Sequence, residues 1–303
     1  MKDYLNEING LFPIRRRAEE KAKFFKYVKD ELGDERVSLE QLDGHHNNII
    51  IGDVESAKVI FTAHYDTPAA SLVPNLMLPA NKVIGTLFHF IYPLAMALLS
   101  LFIALAVAEV FSLDSGFAAA IYMILYFGGF YCTTRILANK HNKNDNTSGV
   151  ATVMSLAAEI NDGRAAFILF DNEEKGLLGS KAYNKAHKSM LSDKLIINFD
   201  CVGNGDQIVF ISKEEAEKMA EFQHLKSSVT SDKDFTIHYL SAKKAVSNSD
   251  YKSFPAGVGV MACRKGKIVK LYTGRIHTAR DTVAESKNVY FLTDAMVKYV
   301  EKL

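Results

Sequence analysis

Residues 58–66 read KVIFTAHYD, an apolar run that ends by placing a histidine and an aspartate two positions apart. Side chains at i and i+2 of a strand share a face, so His64 and Asp66 can address one point together. The same kind of ending recurs downstream. AAFILFD at 165–171 leads into Asp171, Glu173 and Glu174, and KLIINFD at 194–200 stops at Asp200. QIVFIS at 207–212 and GVGVMAC at 257–263 read as further strands, and NNIII at 47–51 is expected to form a hairpin with, or lie beside, KVIFTA. Helical patterns alternate with these runs: RRAEEKAKFFKYVKDEL at 16–32, ending near Gly33, SGVATVMSLAAEI at 148–160, the stretch from Lys213 to about Ser227, and the closing NVYFLTDAMVKYVEKL. Strands alternating with helices predict an α/β fold, a central mixed, mostly parallel sheet with helices on both faces.

In open α/β sheets, sites form outside the carboxyl ends of the strands, so these acids are expected to converge. Asp145, in NKNDNTSGV, opens a helix, and His277, in GRIHTARDT, follows the last strand region. Two imidazoles with several carboxylates suit a divalent transition metal. His64 is then a ligand, and Asp66 holds its ring by a hydrogen bond. Any single acid at a strand end also serves well as a helix cap or turn residue, a reading open for Asp145 and Asp171. Gly176, Gly179 and Ser180 are expected in turns and helix packing, and His45, His46, His141, His187, His224 and His238 lack a partner pattern.

Composition narrows the field. The 36 Lys and Arg balance 35 Asp and Glu, for a formal charge of +1, so charge gives no reason to expect nucleic acid as a partner. Three scattered cysteines argue against a disulfide framework. The opening MKDYLNEINGLFPIRRR carries acids and no uninterrupted apolar core, so it does not read as a secretory signal and the chain is expected to begin in the cytosol.

One region stands apart. Val83 to Ala108 gives 26 consecutive residues without Asp, Glu, Lys or Arg, and Ser115 to Thr134 gives another 20. A membrane-spanning helix needs about 20 such residues. Glu109 and Asp114 lie between the runs, whereas Lys82 precedes them and Arg135, Lys140 and Lys143 follow. The positive-inside rule makes this a two-span hairpin with both ends cytoplasmic, contacting the bilayer through residues 83–134. A buried hairpin of a soluble protein, or an apolar oligomer contact, fits the same hydropathy; the sequence fixes no oligomeric state.

The motifs AHYD at 63–66, NDNTSGV at 144–150, EEKGLLGS at 173–180, NFD at 198–200, SDYKSF at 249–254 and IHTARDT at 276–282 together resemble the co-catalytic zinc aminopeptidases of the M28 type, in that family's order. The resemblance implies a zinc-exopeptidase-like fold and two Zn2+ per chain, other divalent metals being alternatives. It implies His64 and Asp200 at one metal, Glu174 and His277 at the other, Asp145 bridging them, and Glu173 as general base. A peptide substrate would be cut from its N-terminus. The sequence departs from the pattern at Tyr251, where the family commonly has histidine. It departs again between Asp66 and Asp145, where 78 residues replace a short loop. The expected organisation is therefore a catalytic domain from 1–76 and 140–303, with an inserted hydrophobic hairpin at 77–139. The resemblance and the hairpin together imply a membrane-anchored aminopeptidase with its catalytic domain expected on the cytoplasmic side. A dinuclear amidase, carboxypeptidase or deacylase, and a non-enzymatic binding protein on the same fold, are the competing readings.

Overall fold

A computed structural model describes residues 1–303 except 72–74, 246 and 268, and does not describe the side chains of residues 82, 88, 89, 134 and 135. The chain opens with α1 (Tyr4–Leu11) and α2 (Ala18–Leu32), the latter closed by Gly33 at φ 95°. β1 (Val37–Leu42) and β2 (His46–Ile51) form an antiparallel hairpin across Asp43 and Gly44, both at positive φ. β3 (Val59–His64) follows, then the short β4 (Asn75–Met77). The long α3 (Lys82–Val110) comes next, and a return limb is built from α4 (Ser115–Met123), α5 (Gly129–Tyr131) and π-helical turns. The chain then re-enters the globular part with α6 (Gly149–Glu159), β5 (Ala165–Phe170), α7 (Leu178–Ala186), β6 (Leu195–Phe199) and β7 (Gln207–Ser212). It finishes with α8 (Glu214–Lys218), α9 (Ala220–Ser228), β8 (Thr236–Ser241), β9 (Gly257–Lys265), β10 (Leu271–Ile276) and α10 (Ser286–Val300).

The centre of the sheet, β5-β3-β6-β9, is parallel; β1 and β2 continue it antiparallel beyond β5, β7 and β10 pair antiparallel with β9, β4 pairs antiparallel with β10, and β8 pairs parallel with β7. β3, β5 and β6 are buried along their whole length, as expected of strands covered on both faces. One face packs on α1, α2, α6 and α10 through Phe24, Val153, Phe167, Leu292 and their neighbours, and the other on α7 through Tyr183 and Phe170. The fold class expected from the sequence is the one observed.

The pairing expected for 47–51 with 58–63 is not observed. β2 pairs with β1 and with β5, and β5 lies between β2 and β3. The true partner, VSLEQL at 37–42, is an edge strand with mostly exposed side chains, so it carries little of the apolar signal that marks the others.

α3 and the return limb form a helical hairpin whose surface is apolar and open, with Phe90 65%, Phe102 72% and Ile124 71% exposed. That exposure sets it apart from a core helix of a soluble protein. Val83–Val110 is long and apolar enough to cross a bilayer; the return limb contributes the shorter apolar helix Ser115–Tyr131. Tyr92 and Thr133 hydroxyls bond across the pair, and Met96 packs beside Gly129. The flanking charges expected at Lys82 and Arg135, and the side chain of His89, lie outside the described residues.

The two roots of the hairpin are tied together and to the globular part. Ala69 bridges Ala138, Ala70 N–H donates to Leu137 O (2.7 Å), and Asn139 N–H donates to Pro68 O (3.2 Å). β4 pairs with β10, and Ser71 N–H donates to His277 O (2.7 Å).

Candidate metal centre

The parallel register does the first part of the positioning. His64 is level with Phe170 on β5, and Thr62 with Asn198 on β6, so the residues that follow these three strands emerge at one end of the sheet. His64 and Asp66 come from β3, Glu173 and Glu174 from the 3-10 turn after β5, and Asp200 from the end of β6. Asp145 arrives from the segment before α6. A Cβ at Gly149 would lie 2.3 Å from Phe199 O, so only glycine lets that helix start so close to β6. Asn146 staples the two: its Nδ2 donates to Phe199 O (3.0 Å), and its Oδ1 accepts from Gly149 N–H and Cys201 N–H (3.1 Å each).

Asp145 lies in the middle. His64 Nε2 is 3.4 Å from its Oδ1 and 3.8 Å from Asp200 Oδ1. His277 Nε2 is 3.0 Å from Asp145 Oδ2 and 3.5 Å from Glu174 Oε2. One carboxylate thus presents one oxygen to each histidine. Ligand atoms of His64, Asp145 and Asp200, and those of Asp145, Glu174 and His277, each fall within 4.8 Å of one another, two donor sets joined at Asp145. Glu173 belongs to neither; it groups with His64 and Glu174 and lines the cleft, a cavity of about 220 Å3.

The donor chemistry fits divalent cations. Two imidazoles face Asp145, Glu174, Asp200 and Glu173, leaving negative charge that a cation neutralises. Glu174 Oε1 and Asp200 Oδ1 are buried without a hydrogen-bond partner among the described residues. His64 Nδ1–H donates to the main-chain carbonyl of Asp66 (3.1 Å), which fixes the tautomer and leaves Nε2 to accept. Electrostatics agree. Burial opposes protonation of His277, but Glu174 and Asp145 outweigh it and raise the imidazole to about 10. Burial and the neighbouring acids Glu174, Asp250 and Asp200 hold Glu173 well above the carboxylate range against the pull of His64, and burial first, then Asp145, lifts Glu174 to about 7.

Asp66 does not act as its position suggested. Its carboxylate lies 3.6 Å from His64 Nδ1, beyond hydrogen-bond reach, and accepts instead from Glu173 N–H (3.0 Å) and Glu174 N–H (3.2 Å). The histidine is held by the main chain, and the carboxylate caps the turn that carries both glutamates. Asp171 also departs from the expected convergence: it is buried in an ion pair with Lys21 and accepts from Asn47 N–H (3.1 Å). A Cβ at Gly179 would lie 2.2 Å from Asp171 O, so the glycine is required by helix packing.

Two contributors were not singled out in the sequence. Asp281 receives Asn144 N–H and Asp145 N–H (3.1 and 3.0 Å) on its two oxygens, fixing the main chain that carries the Asp145 carboxylate. Its place in IHTARDT was the available signal. Arg15 is fully buried and donates to Tyr65 O (2.6 Å), Phe12 O (2.7 Å) and Thr147 Oγ1 (3.1 Å), clamping the end of β3 to the Asp145 segment. Within RRR it looks like a solvated charge. Tyr251 is buried against Gly257 and Gly259 of β9 rather than in the cleft wall.

The sequence model of peptidase family M28 matches residues 138–297, more than half of the chain, beginning where the return limb ends. No curated protein sequence matches. Among solved structures, the chain is similar to the LapA aminopeptidase of Legionella pneumophila (13% identity, TM-score 0.54, covering 98% of this chain and 69% of that one). It is also similar to a Zn-dependent exopeptidase of Parabacteroides distasonis (16%, 0.56, 98% and 95%) and to the glutaminyl cyclase of Porphyromonas gingivalis (13%, 0.57, 99% and 96%). Identities this low speak to the fold alone.

Proposed function

The chain belongs to peptidase family M28, a metallopeptidase on a zinc-exopeptidase fold, and from that premise we propose that it is a membrane-associated dinuclear zinc aminopeptidase. The observation that carries the reading is Asp145, whose two oxygens face His64 and His277 separately. His64 and Asp200 would hold one zinc, Glu174 and His277 the other, and Asp145 both. Bound zinc polarises a carbonyl oxygen and lowers the pKa of water. Glu173, on the cleft wall, takes the proton of the attacking water and returns it to the departing amine. Asp66 holds Glu173 and Glu174 through their main-chain N–H groups, so the base and a ligand move as one. Leu76, Met77 and Ile276 give the cleft an apolar wall, which favours an apolar N-terminal residue.

The domain division that fits this reading is a catalytic unit of 1–76 and 140–303 interrupted by 77–139. The open apolar surface of α3 supports a bilayer anchor, with the catalytic domain on the cytoplasmic side.

Glu173→Gln should lower kcat by about 10²- to 10⁴-fold while metal analysis still finds two zinc ions per chain. Retained turnover removes Glu173 from the reaction. A panel of aminoacyl, N-acyl and glutaminyl substrates separates aminopeptidase from deacylase and cyclase activity. High-speed centrifugation of detergent-free lysate should bring the protein down with membranes; recovery in the supernatant refutes the anchor.

A further inference from the structure

The metal cleft shares the Glu174 wall with a second, larger cavity of about 430 Å3. That volume falls in the range of small-molecule sites, and none of the proposed chemistry uses it. Its floor reaches Asp66 and Glu174, and its outer wall is formed by the N-terminal segment of the chain, with Arg16 and Arg17, and by Lys175 next to Glu174.

The charges are arranged unequally. Of the carboxylates lining the cavity, Asp66 is committed to the main-chain N–H groups of Glu173 and Glu174, and Glu174 faces His277. Glu20 accepts from the main-chain N–H groups of Arg16 and Arg17 (2.9 Å each), capping the start of α2. Of the lining cations, Lys21 is paired with Asp171. Arg16 Nη1 donates to Thr67 O (3.0 Å), whereas Arg17 and Lys175 are exposed at the rim, and the Lys175 ammonium has no hydrogen-bond partner among the described residues. The cavity therefore has an anion-attracting rim within reach of the reaction centre.

We propose that this cavity holds the C-terminal carboxylate of a short peptide whose N-terminal residue lies in the metal cleft, so that the preferred substrates are dipeptides and tripeptides with free carboxyl ends. This deepens the aminopeptidase reading and rests on it. An extended residue spans at most about 3.6 Å and one or two residues follow the scissile bond, so the carboxylate of a dipeptide or tripeptide lies within about 7 Å of that bond, the next compartment along. A guanidinium and an ammonium offer charge-assisted hydrogen bonds to a terminal carboxylate that a carboxamide receives far more weakly. A lipid phosphate would satisfy the cations too, but leaves the wall shared with the metal ligands without a purpose.

The test compares zinc-loaded protein on peptide pairs that differ only in a C-terminal carboxylate or carboxamide, with Leu at the N-terminus. The expected result is a kcat/KM ratio of acid to amide of at least about tenfold, expressed in KM, which collapses toward one in Arg17→Gln and in Lys175→Gln. Equal handling of the pair by the unsubstituted protein, or a preference that survives both substitutions, overturns the proposal. Hydrolysis of neither peptide refutes the aminopeptidase reading instead. In that event calorimetric binding of the same pair to the zinc-loaded protein and both variants decides the cavity by the same ratio. A difference in binding to phosphatidylglycerol vesicles, with no difference between acid and amide, assigns the rim to headgroups and also overturns it.

Discussion

Substituting Asp66 by Asn separates the role suggested by its position from the role seen in the fold. The residue is 3% exposed, and its two carboxylate oxygens receive Glu173 N–H at 3.0 Å and Glu174 N–H at 3.2 Å. Asparagine keeps the shape but offers one acceptor oxygen without charge, and turns an NH2 group toward the other N–H. Hydrogen bonds to a charged group contribute about 1.5–3 kcal/mol each, so losing one and weakening the other costs about 2–4 kcal/mol. Carried in full to the transition state, that is a fall of about 30- to 1000-fold in kcat, because the proposed base and a proposed metal ligand share the loosened turn. His64 is unaffected, since its Nδ1–H donates to the main-chain carbonyl of residue 66, which the substitution retains. The assay is single-turnover kinetics together with metal content. A kcat within about threefold of the unsubstituted protein refutes the reasoning. So does a loss of metal with kcat per bound metal unchanged, which would return the carboxylate to the support of the imidazole.

Lys21→Met should destabilise the protein by about 3–5 kcal/mol, because it strands the Asp171 carboxylate in a buried site; thermal denaturation reads this as a fall of several degrees. For the metal-stripped protein, stability should decline as pH rises. Glu174 and Asp281, each about 7 in the fold against ordinary values of 4.5 and 3.8, and His277, about 10 against 6.5, all bind a proton more tightly folded than unfolded. Their contribution is full below the ordinary values and is lost through about 7 for the acids and about 10 for the imidazole. Asp145 has the opposite sign, but only below its ordinary 3.8. Zinc should reverse the trend, since it displaces those protons, and melting curves with and without zinc across this range check both statements.

Much of this was legible because parallel strands announce themselves. β3, β5 and β6 are buried throughout, so their apolar runs are continuous, and the acid that ends each run marks the end of the sheet where ligands gather. What stayed hidden depended on partners distant in sequence. β1 faces solvent and pairs only along one side, so its composition resembles a loop. Arg15 differs from Arg16 and Arg17 in being fully buried, with the carbonyls of Tyr65 and Phe12 around its guanidinium, and no local pattern records that. Asp66 and Asp171 look alike as acids closing strands. Lys21 of α2 claims one, and the turn after β5 claims the other, which only the packing of α2 over the sheet decides.

The knot at Pro68–Ala70 and Leu137–Asn139 makes the hydrophobic hairpin a loop with a single throat. Excision at that throat leaves two ends that are already neighbours, so a lineage could gain or shed the whole segment without re-siting a ligand. The same cut carries away β4 and with it a side of the cleft. On the proposed reading, the anchor and that side of the cleft would therefore be inherited as one piece, and a relative made by trimming would have a differently shaped cleft as well as no apolar hairpin.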